Sequence, residues 1–401
     1  MTNVRLGDVL EPRREVVHPR DNPSGDALFV GLEHIESNTG RRIGGLEVRL
    51  EELTGRKPRF HAGDIVYGYL RPYLNKVWVA DRAGLCSVDQ YVFEVRYAAD
   101  PQFVAAYLRS PMFLARAPVD ETPGQLPRIR LDEVLAVTID LPALPEQHRL
   151  AVRLAAKLAA AAKSDQACRE RRSDLNALRE LVYRRAFEMI VPLTVERSHE
   201  TEPTDWSWVR LTDVARLESG HTPSRDRPDW WGGDIPWIAL PDIRALDGAV
   251  AFETGETTNL EGIAHSSARV LPAGTVVMSR TASVGFVTRM GRPMATSQDF
   301  VNWVCGPNLD PEFLMHLLIR SRPYVRELAS GAIHKTVYMP TVKAFKVCVP
   351  SIQEQRRIVS ELRSQLAAID AASAALNAQI AAIEHLPAAL LNREFEVAKA
   401  F

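Results

Sequence analysis

Apolar residues along this chain follow two rhythms. Over residues 1–143 they come as short runs bounded by Gly and Pro: Ala27-Leu28-Phe29-Val30, Asp64-Ile65-Val66-Tyr67 and Tyr91-Val92-Phe93-Glu94-Val95. β-Branched and aromatic enrichment between turn signals predicts strands. Phe103 to Leu114 reads as helical, so this segment is expected to be an α+β domain. From 144 to about 189 the rhythm changes. Gly is absent, Pro occurs only at Pro145, and apolar side chains fall at Leu150, Leu154, Leu158, Ala161, Cys168, Leu175, Leu178 and Val182. Spacings of three, four and seven predict one long helix with a coiled-coil seam. About 44 residues at 1.5 Å each would make a rod of roughly 66 Å. A small domain cannot bury such a rod, so another helix should lie along it.

That partner is encoded further on. Ile358, Leu362, Leu366, Ile369, Leu376, Ile380 and Ile383 repeat the pattern within residues 351–401, and Ala fills many remaining seam positions. Pro387 is expected to end or kink this helix, because proline lacks the backbone donor and clashes with the preceding turn. Residues 191–205 are polar and Pro-containing and read as a linker. Residues 206–350 return to α+β character. The expected order is a domain over 1–143, a helix over 144–190, the linker 191–205, a domain over 206–350 and a helix over 351–401.

The second half restates the first. Leu141-Pro142-Ala143-Leu144-Pro145-Glu146-Gln147-His148-Arg149 returns 208 residues later as Val349-Pro350-Ser351-Ile352-Gln353-Glu354-Gln355-Arg356-Arg357. Arg185-Ala186-Phe187-Glu188 returns as Arg393-Glu394-Phe395-Glu396, and Phe29 to Ile35 answers Trp237 to Ile243 at the same offset. Solenoid repeats run about 20–50 residues, so this is a duplicated domain-plus-helix unit instead. Two similar modules on one chain suit a target with two segments at a fixed separation. Glu146-Gln147 and Glu354-Gln355 are expected to cap and orient the helix starts. Phe187 and Phe395 are expected to pack where each helix ends against a domain.

Composition narrows the class. The chain has 401 residues, a formal net charge of −1 and 46% hydrophobic residues, ordinary for a globular protein with two cores. That charge does not advertise nucleic-acid binding, though local patches matter more than the total. The cysteines, Cys86, Cys168, Cys305 and Cys348, lack metal or redox spacing and fit a reducing cytosol. No signal peptide is visible and no run of about 18 apolar residues stands out, so a cytoplasmic protein without a membrane span is expected. There is no Walker loop, no G-x-S-x-G elbow, no H-E-x-x-H helix and no Asn-Pro-Pro-aromatic methyltransferase tetrapeptide. No catalytic residues and no metal ligands are therefore expected on this chain.

The two Pro-x-x-x-Glu-Gln-x-Arg stretches, each opening a long helix after an α+β region, resemble those of type I restriction–modification specificity subunits. The second half is especially similar. Trp206-Ser207-Trp208-Val209-Arg210-Leu211 leads to Ser219-Gly220-His221-Thr222-Pro223-Ser224, then Trp230 to Ile238, then Ser279-Arg280-Thr281-Ala282-Ser283-Val284-Gly285. The first half departs from this version and offers Phe29 to Ile35, Tyr69-Leu70-Arg71-Pro72-Tyr73-Leu74 and Cys86-Ser87-Val88-Asp89. The resemblance implies two unlike target-recognition domains and two long antiparallel coiled-coil helices in a pseudo-twofold molecule. It implies a non-catalytic subunit on double-stranded DNA, with each domain reading half of a split site. The partners it implies are methyltransferase subunits and a restriction motor-nuclease subunit, which would hold S-adenosylmethionine and ATP. A DNA-recognition adaptor of another defence complex without methylation is the alternative.

DNA readout needs forked donors at base edges and cations at phosphates. Candidates in the first domain are Arg41, Arg42, Arg71, Arg128 and Arg130. Arg71 is placed at a strand end like Arg280, and Arg128-Ile129-Arg130 is read as a strand with alternating cations. Candidates in the second domain are His221, Arg225, Arg227, Arg280, Gln298, His334 and Lys335. Against each stands a plainer role as a surface ion pair or solvated loop cation. Trp230 and Trp231 read as core-closing residues.

Overall fold

The computed structural model describes residues 2–96, 98–196, 202–331 and 335–398. Contacts divide the chain into two compact units: Met1–Arg171 with Ala375–Phe401, and Arg172–Ala374. The division runs through both long helices. Each unit is therefore an α+β body with the beginning of one long helix and the end of the other.

In the first unit a four-stranded antiparallel sheet has the order Leu10–Pro12, Gln90–Val95, Ile65–Gly68, Val77–Val79. A second, mixed sheet pairs Asp26–Val30 parallel to Gly84–Cys86, with Phe29 opposite Leu85 and Val30 opposite Cys86. Thr2–Arg5 pairs antiparallel with Thr138–Leu141, which leads into the long helix. The helical stretch expected over 103–114 is two helices, Pro101–Leu108 and Pro111–Arg116. Ser110 separates them, because its hydroxyl caps Phe113 N at 3.1 Å and Pro111 has no backbone donor to continue the first helix. Phe93, Phe103, Tyr107 and Phe113 are buried between the sheet and these helices.

The second unit repeats this plan. Ala215–Ser219, Phe300–Cys305, Val276–Ser279 and Val287–Met290 take the same order in one sheet, and Val250–Ala251 extends it. Trp231–Ile238 pairs parallel with Ala295–Thr296, Trp237 opposite Ala295 and Ile238 opposite Thr296. Pro311–Arg320 is the counterpart of Pro101–Leu108. Trp303, Phe313 and Phe345 fill the core with Phe187, which stands 5.4 Å from Phe313 between ring centroids. In the first unit Phe395 does the same work, 5.3 Å from both Phe103 and Tyr107.

The long helices span Leu144–Ala186, 43 residues, and Ile352–Ala398, 47 residues. Their starts are tied down by two buried glutamines. Gln147 accepts from Asp100 N at 2.9 Å and donates to the Pro142 and Ala98 carbonyls. Gln355 accepts from Asp310 N at 2.9 Å and donates to the Pro350 and Asn308 carbonyls. Glu146 and Glu354 instead face outward and pair with Arg149 and Arg357 one turn on. Within the first unit Glu394 takes Arg153 and Lys157, while Arg169 reaches Glu384. One helix advances as the other retreats, so they run antiparallel there. In the second unit Arg179 pairs with Asp370, and Tyr183 and Phe187 share a core with Ile358, Leu362 and Leu366.

The seven apolar seam positions named on the second helix are all buried; on the first, Leu150, Leu154, Ala161 and Cys168 are, but Leu178 is 45% exposed. Pro387 does not end the second helix, which continues to Ala398. That helix contains an 18-residue window of mean hydropathy 1.4, apolar and long enough to cross a membrane by composition. The expectation from counting large apolar residues missed it, because alanine raises hydropathy without forming an obvious run. Its large side chains, Leu366, Ile369, Leu376, Ile380 and Ile383, are buried within the protein.

Candidate nucleic-acid interface

The two units share one loop frame at the ends of corresponding strands. In the first, Ser87-Val88-Asp89 forms a turn in which Ser87 Oγ accepts from Asp89 N at 3.3 Å and donates to the Asp89 carboxylate at 3.2 Å. In the second, Ser297-Gln298-Asp299 repeats both bonds at 3.2 and 3.1 Å. The carbonyl of Asp89 then accepts from Tyr69 N, and that of Asp299 from Arg280 N. Tyr69 O accepts from Ile129 N, and Arg280 O from Val337 N. Two residues on, Arg71 N donates to Pro127 O, and Ala282 N to Lys335 O. Arg71 and Ala282 both take the left-handed conformation, with φ of 50° and 60°.

This correspondence corrects one expectation. The counterpart of Arg280 is Tyr69, and Arg71 corresponds to Ala282. The offset between these segments is 211, whereas Arg71 and Arg280 lie 209 apart, nearer the 208 of the flanking repeats. Tyr69 carries no cation, so side-chain type alone gives it no DNA-reading signal. Its side chain nonetheless copies that of Arg280: Tyr69 Oη donates to Val88 O at 3.2 Å, and Arg280 Nη2 donates to Gln298 O at 3.0 Å. Tyr69 stacks on Tyr91 with centroids 4.4 Å apart. Burial pushes both phenols up, Tyr91 to about 12, so both remain neutral donors.

In the second unit the frame gathers four of the named candidates. Gln298 Oε1 accepts from the Thr222 hydroxyl, and His221 N donates to Thr296 O at 2.9 Å. Gly220 makes this approach possible. A Cβ there would stand 2.0 Å from Ser297 O, so only glycine fits. Arg280, Gln298, His221 and Lys335 therefore lie on loops joined by these bonds. His221, Gln298 and Lys335 are exposed and Arg280 is half-buried. His334 lies outside the described residues.

Arg225 and Arg227 are held differently. Arg225 makes a two-point pair with Glu256 at 2.7 and 2.8 Å and lies 3.9 Å over the Trp231 ring. Arg227 pairs with Asp229 and covers Trp230 at 4.8 Å. The guanidinium partners hold both carboxyls below their ordinary range. Trp230 and Trp231 are half-buried: Trp231 meets the buried Trp237 edge-on, whereas Trp230 stacks on His265 near the surface.

In the first unit Arg71 is exposed and has no side-chain partner among the described residues. Arg128 donates to Leu126 O at 3.3 Å, and Arg41 pairs with Glu36. Arg42 pairs with Asp81 and lies over Trp78. Arg130 pairs with Asp120, whose carboxyl is lowered to about 2 by the Thr122 hydroxyl and this arginine. The expected strand over 128–130 is a single bridge residue, Arg128, opposite Leu70 and Asp120. Arg130 already precedes the helix Leu131–Ala136, so the two arginines do not alternate on one strand.

A polar cavity of about 500 Å³ in the second unit is rimmed by Arg210, Arg269 and Lys343 around the buried Glu218. Glu218 pairs with Arg216 and Arg269. These cations come from three distant segments, and no spacing in the sequence links them. Among the described residues no three His, Cys, Asp or Glu side chains gather as metal ligands.

Residues 203–382 match the family model described as the type I restriction modification DNA specificity domain. The chain is 28% identical over 163 residues to the type I restriction enzyme MjaIX specificity subunit of Methanocaldococcus jannaschii, covering 40% of this chain and 38% of that protein. It is 28% identical over 184 residues to the EcoDI specificity subunit of Escherichia coli, covering 46% of this chain and 40% of that one. The chain thus spans about two fifths of the length of the curated relatives it matches. In fold the likeness extends further. A chain from a structure of type I R-M system assembly and conformational transition superposes with TM-score 0.81 at 21% identity, over 98% of this chain and 97% of that one. The HsdS subunit of Thermoanaerobacter tengcongensis gives 0.63 at 21% identity, over 98% and 96%.

Proposed function

We propose that this chain, whose residues 203–382 match the type I restriction modification DNA specificity domain, is the sequence-recognition subunit of a type I restriction–modification complex. Each α+β unit reads one half of a split duplex site. Methyltransferase subunits and a motor-nuclease subunit supply the covalent chemistry and hold S-adenosylmethionine and ATP. The chain itself is non-catalytic in this reading and works in the cytoplasm.

The observation that carries the proposal is the duplicated loop frame. Its backbone bonds are the same in both units while the side chains at its tips differ. A duplicated catalytic site would keep its reacting groups. A duplicated reader keeps the scaffold and changes the tips, because sequence is read by side chains at base edges while other contacts only position the protein. The balanced net charge is compatible with this, since Arg71 and Lys335, which pair with no acid among the described residues, belong to these loops.

Co-expression of the full chain with the methyltransferase encoded beside it, followed by mapping of methylated bases across the host genome, tests the proposal. One bipartite motif with a fixed gap is expected. No motif beyond that of the methyltransferase alone, or one contiguous segment, overturns it. Duplex binding without methylation points to the adaptor of a non-methylating defence complex instead.

A further inference from the structure

We propose that Tyr69 and Val88 in the first unit, and Arg280 and Gln298 in the second, are the specificity-determining positions, one backbone frame carrying a different pair of base readers in each unit. This holds only if the chain reads DNA as proposed above, and it adds which side chains choose the bases.

The frame is matched atom for atom. Tyr69 and Arg280 each donate their backbone N–H to the aspartate of a Ser-x-Asp turn, and each accepts from a neighbouring segment through its own carbonyl. Each side chain then donates to the carbonyl of the middle turn residue, Val88 or Gln298. Positions 69 and 88 are therefore coupled, as are 280 and 298: one side chain lies across the backbone of the other residue.

The tips differ in chemistry. The second unit presents a guanidinium and an amide. Arg280 spends Nη2 on the turn, and Gln298 spends Oε1 on Thr222, which orients the remaining Nη1 and Nε2 donors. Such donors suit the acceptor edges of purines in the major groove, the arginine at guanine O6 and N7 and the glutamine Nε2 at a purine N7. The first unit presents a phenol stacked on Tyr91 and, at Val88, an isopropyl group that is 44% exposed. An apolar tip of this kind suits the thymine methyl group. Each frame also carries, at one end of a matched backbone bond, a cation without an acidic partner among the described residues. It is Arg71 in the first unit and Lys335 in the second, from opposite sides of the same backbone bond. These fit phosphates, which position the protein without specifying sequence.

The test exchanges the readers. Full-length chain carrying Tyr69→Arg with Val88→Gln, and separately Arg280→Tyr with Gln298→Val, is purified with its methyltransferase. Each complex selects from duplexes randomised over two half-sites. Each exchange is expected to change preference at least about tenfold at a base position in one half-site, leaving the other half unchanged. Arg71→Ala should weaken binding to all duplexes alike. Retained binding with unaltered preference in both halves overturns the assignment. Should an exchange fail to fold, the single surface variants Val88→Thr and Gln298→Glu replace it, and unaltered preference in both overturns it equally. A wild-type complex that selects no bipartite duplex sinks the functional proposal and this assignment together.

Discussion

Gln355 accepts the backbone N–H of Asp310 at 2.9 Å, and Asp310 in turn caps the helix Pro311–Arg320 through Phe313 N at 3.1 Å. One fully buried amide thus fixes the start of a 47-residue rod to the start of a helix in the α+β body. The first unit repeats the arrangement with Gln147, Asp100 and Phe103.

Replacing Gln355 by Leu leaves Asp310 N–H and the Pro350 and Asn308 carbonyls without their partner. Buried polar groups stripped of hydrogen bonds cost about 1–3 kcal/mol each, with partial relaxation, so a loss of about 2–4 kcal/mol is expected. Six of the seven tryptophans, all but Trp78, lie in the second unit, so intrinsic fluorescence during urea unfolding reads that unit. A midpoint equal to wild type would contradict the role given to this amide.

His316 is buried against Tyr183, whose hydroxyl lies 3.1 Å from Nδ1. Burial pushes its pKa down to about 4; Glu312 and Asp310 raise it, and Arg363 and Arg289 oppose them. A histidine depressed below its ordinary 6.5 takes up protons more readily when unfolded. Its neutral form therefore contributes stability that is full above 6.5 and is lost as the pH falls towards about 4. On the order of 3 kcal/mol should disappear across that window. Urea titrations at pH 7 and pH 5 should separate by less in His316→Phe than in wild type.

Gly220→Ala places a methyl group against the Ser297 and Thr296 carbonyls. The strand Ala215–Ser219 and the Ser297–Asp299 turn must then separate. A loss above about 1 kcal/mol is expected, with faster amide exchange at His221, whose N–H bonds Thr296 O. Selection by the second half-site should weaken while the first is retained. Unaltered exchange at His221 would show that the close approach is dispensable.

Deleting residues 170–176 and 373–379 removes a heptad from each long helix and keeps the seam in phase. Each rod shortens by about 10 Å, close to three base-pair steps at roughly 3.4 Å each. The variant complex should prefer a gap shorter by about three base pairs, or bind no site, when gap length is scanned in duplexes. An unchanged gap preference would show that helix length does not set it.

Several elements were legible before any coordinates. The strands around Val66 and Phe93 announced themselves by β-branched and aromatic runs, and the long helices by apolar spacing without glycine. Phe187 and Phe395 stood out because the repeat aligned them. Tyr69 did not. Its kinship with Arg280 lies in backbone hydrogen bonds, which leave no trace in side-chain identity, and the offset drifts from 208 to 211 between the repeats. Gly220 was visible as a letter, but nothing in the sequence said which carbonyl it faced.

Hydrophobic period, the two long helices and the duplication were determined by the sequence alone, because each is written in the order of residues along the chain, whereas the passage of the second helix through Pro387 and the glutamine ties at the helix starts were not. Which cations are free and which are neutralised was decided only by tertiary structure. Arg42 reaches Asp81 across 39 residues and Arg225 reaches Glu256 across 31, whereas Arg71 reaches no acid among the described residues. A charge's availability depends on what folding brings within a few ångströms of it, and that distance is set by packing between elements, not by spacing along the chain.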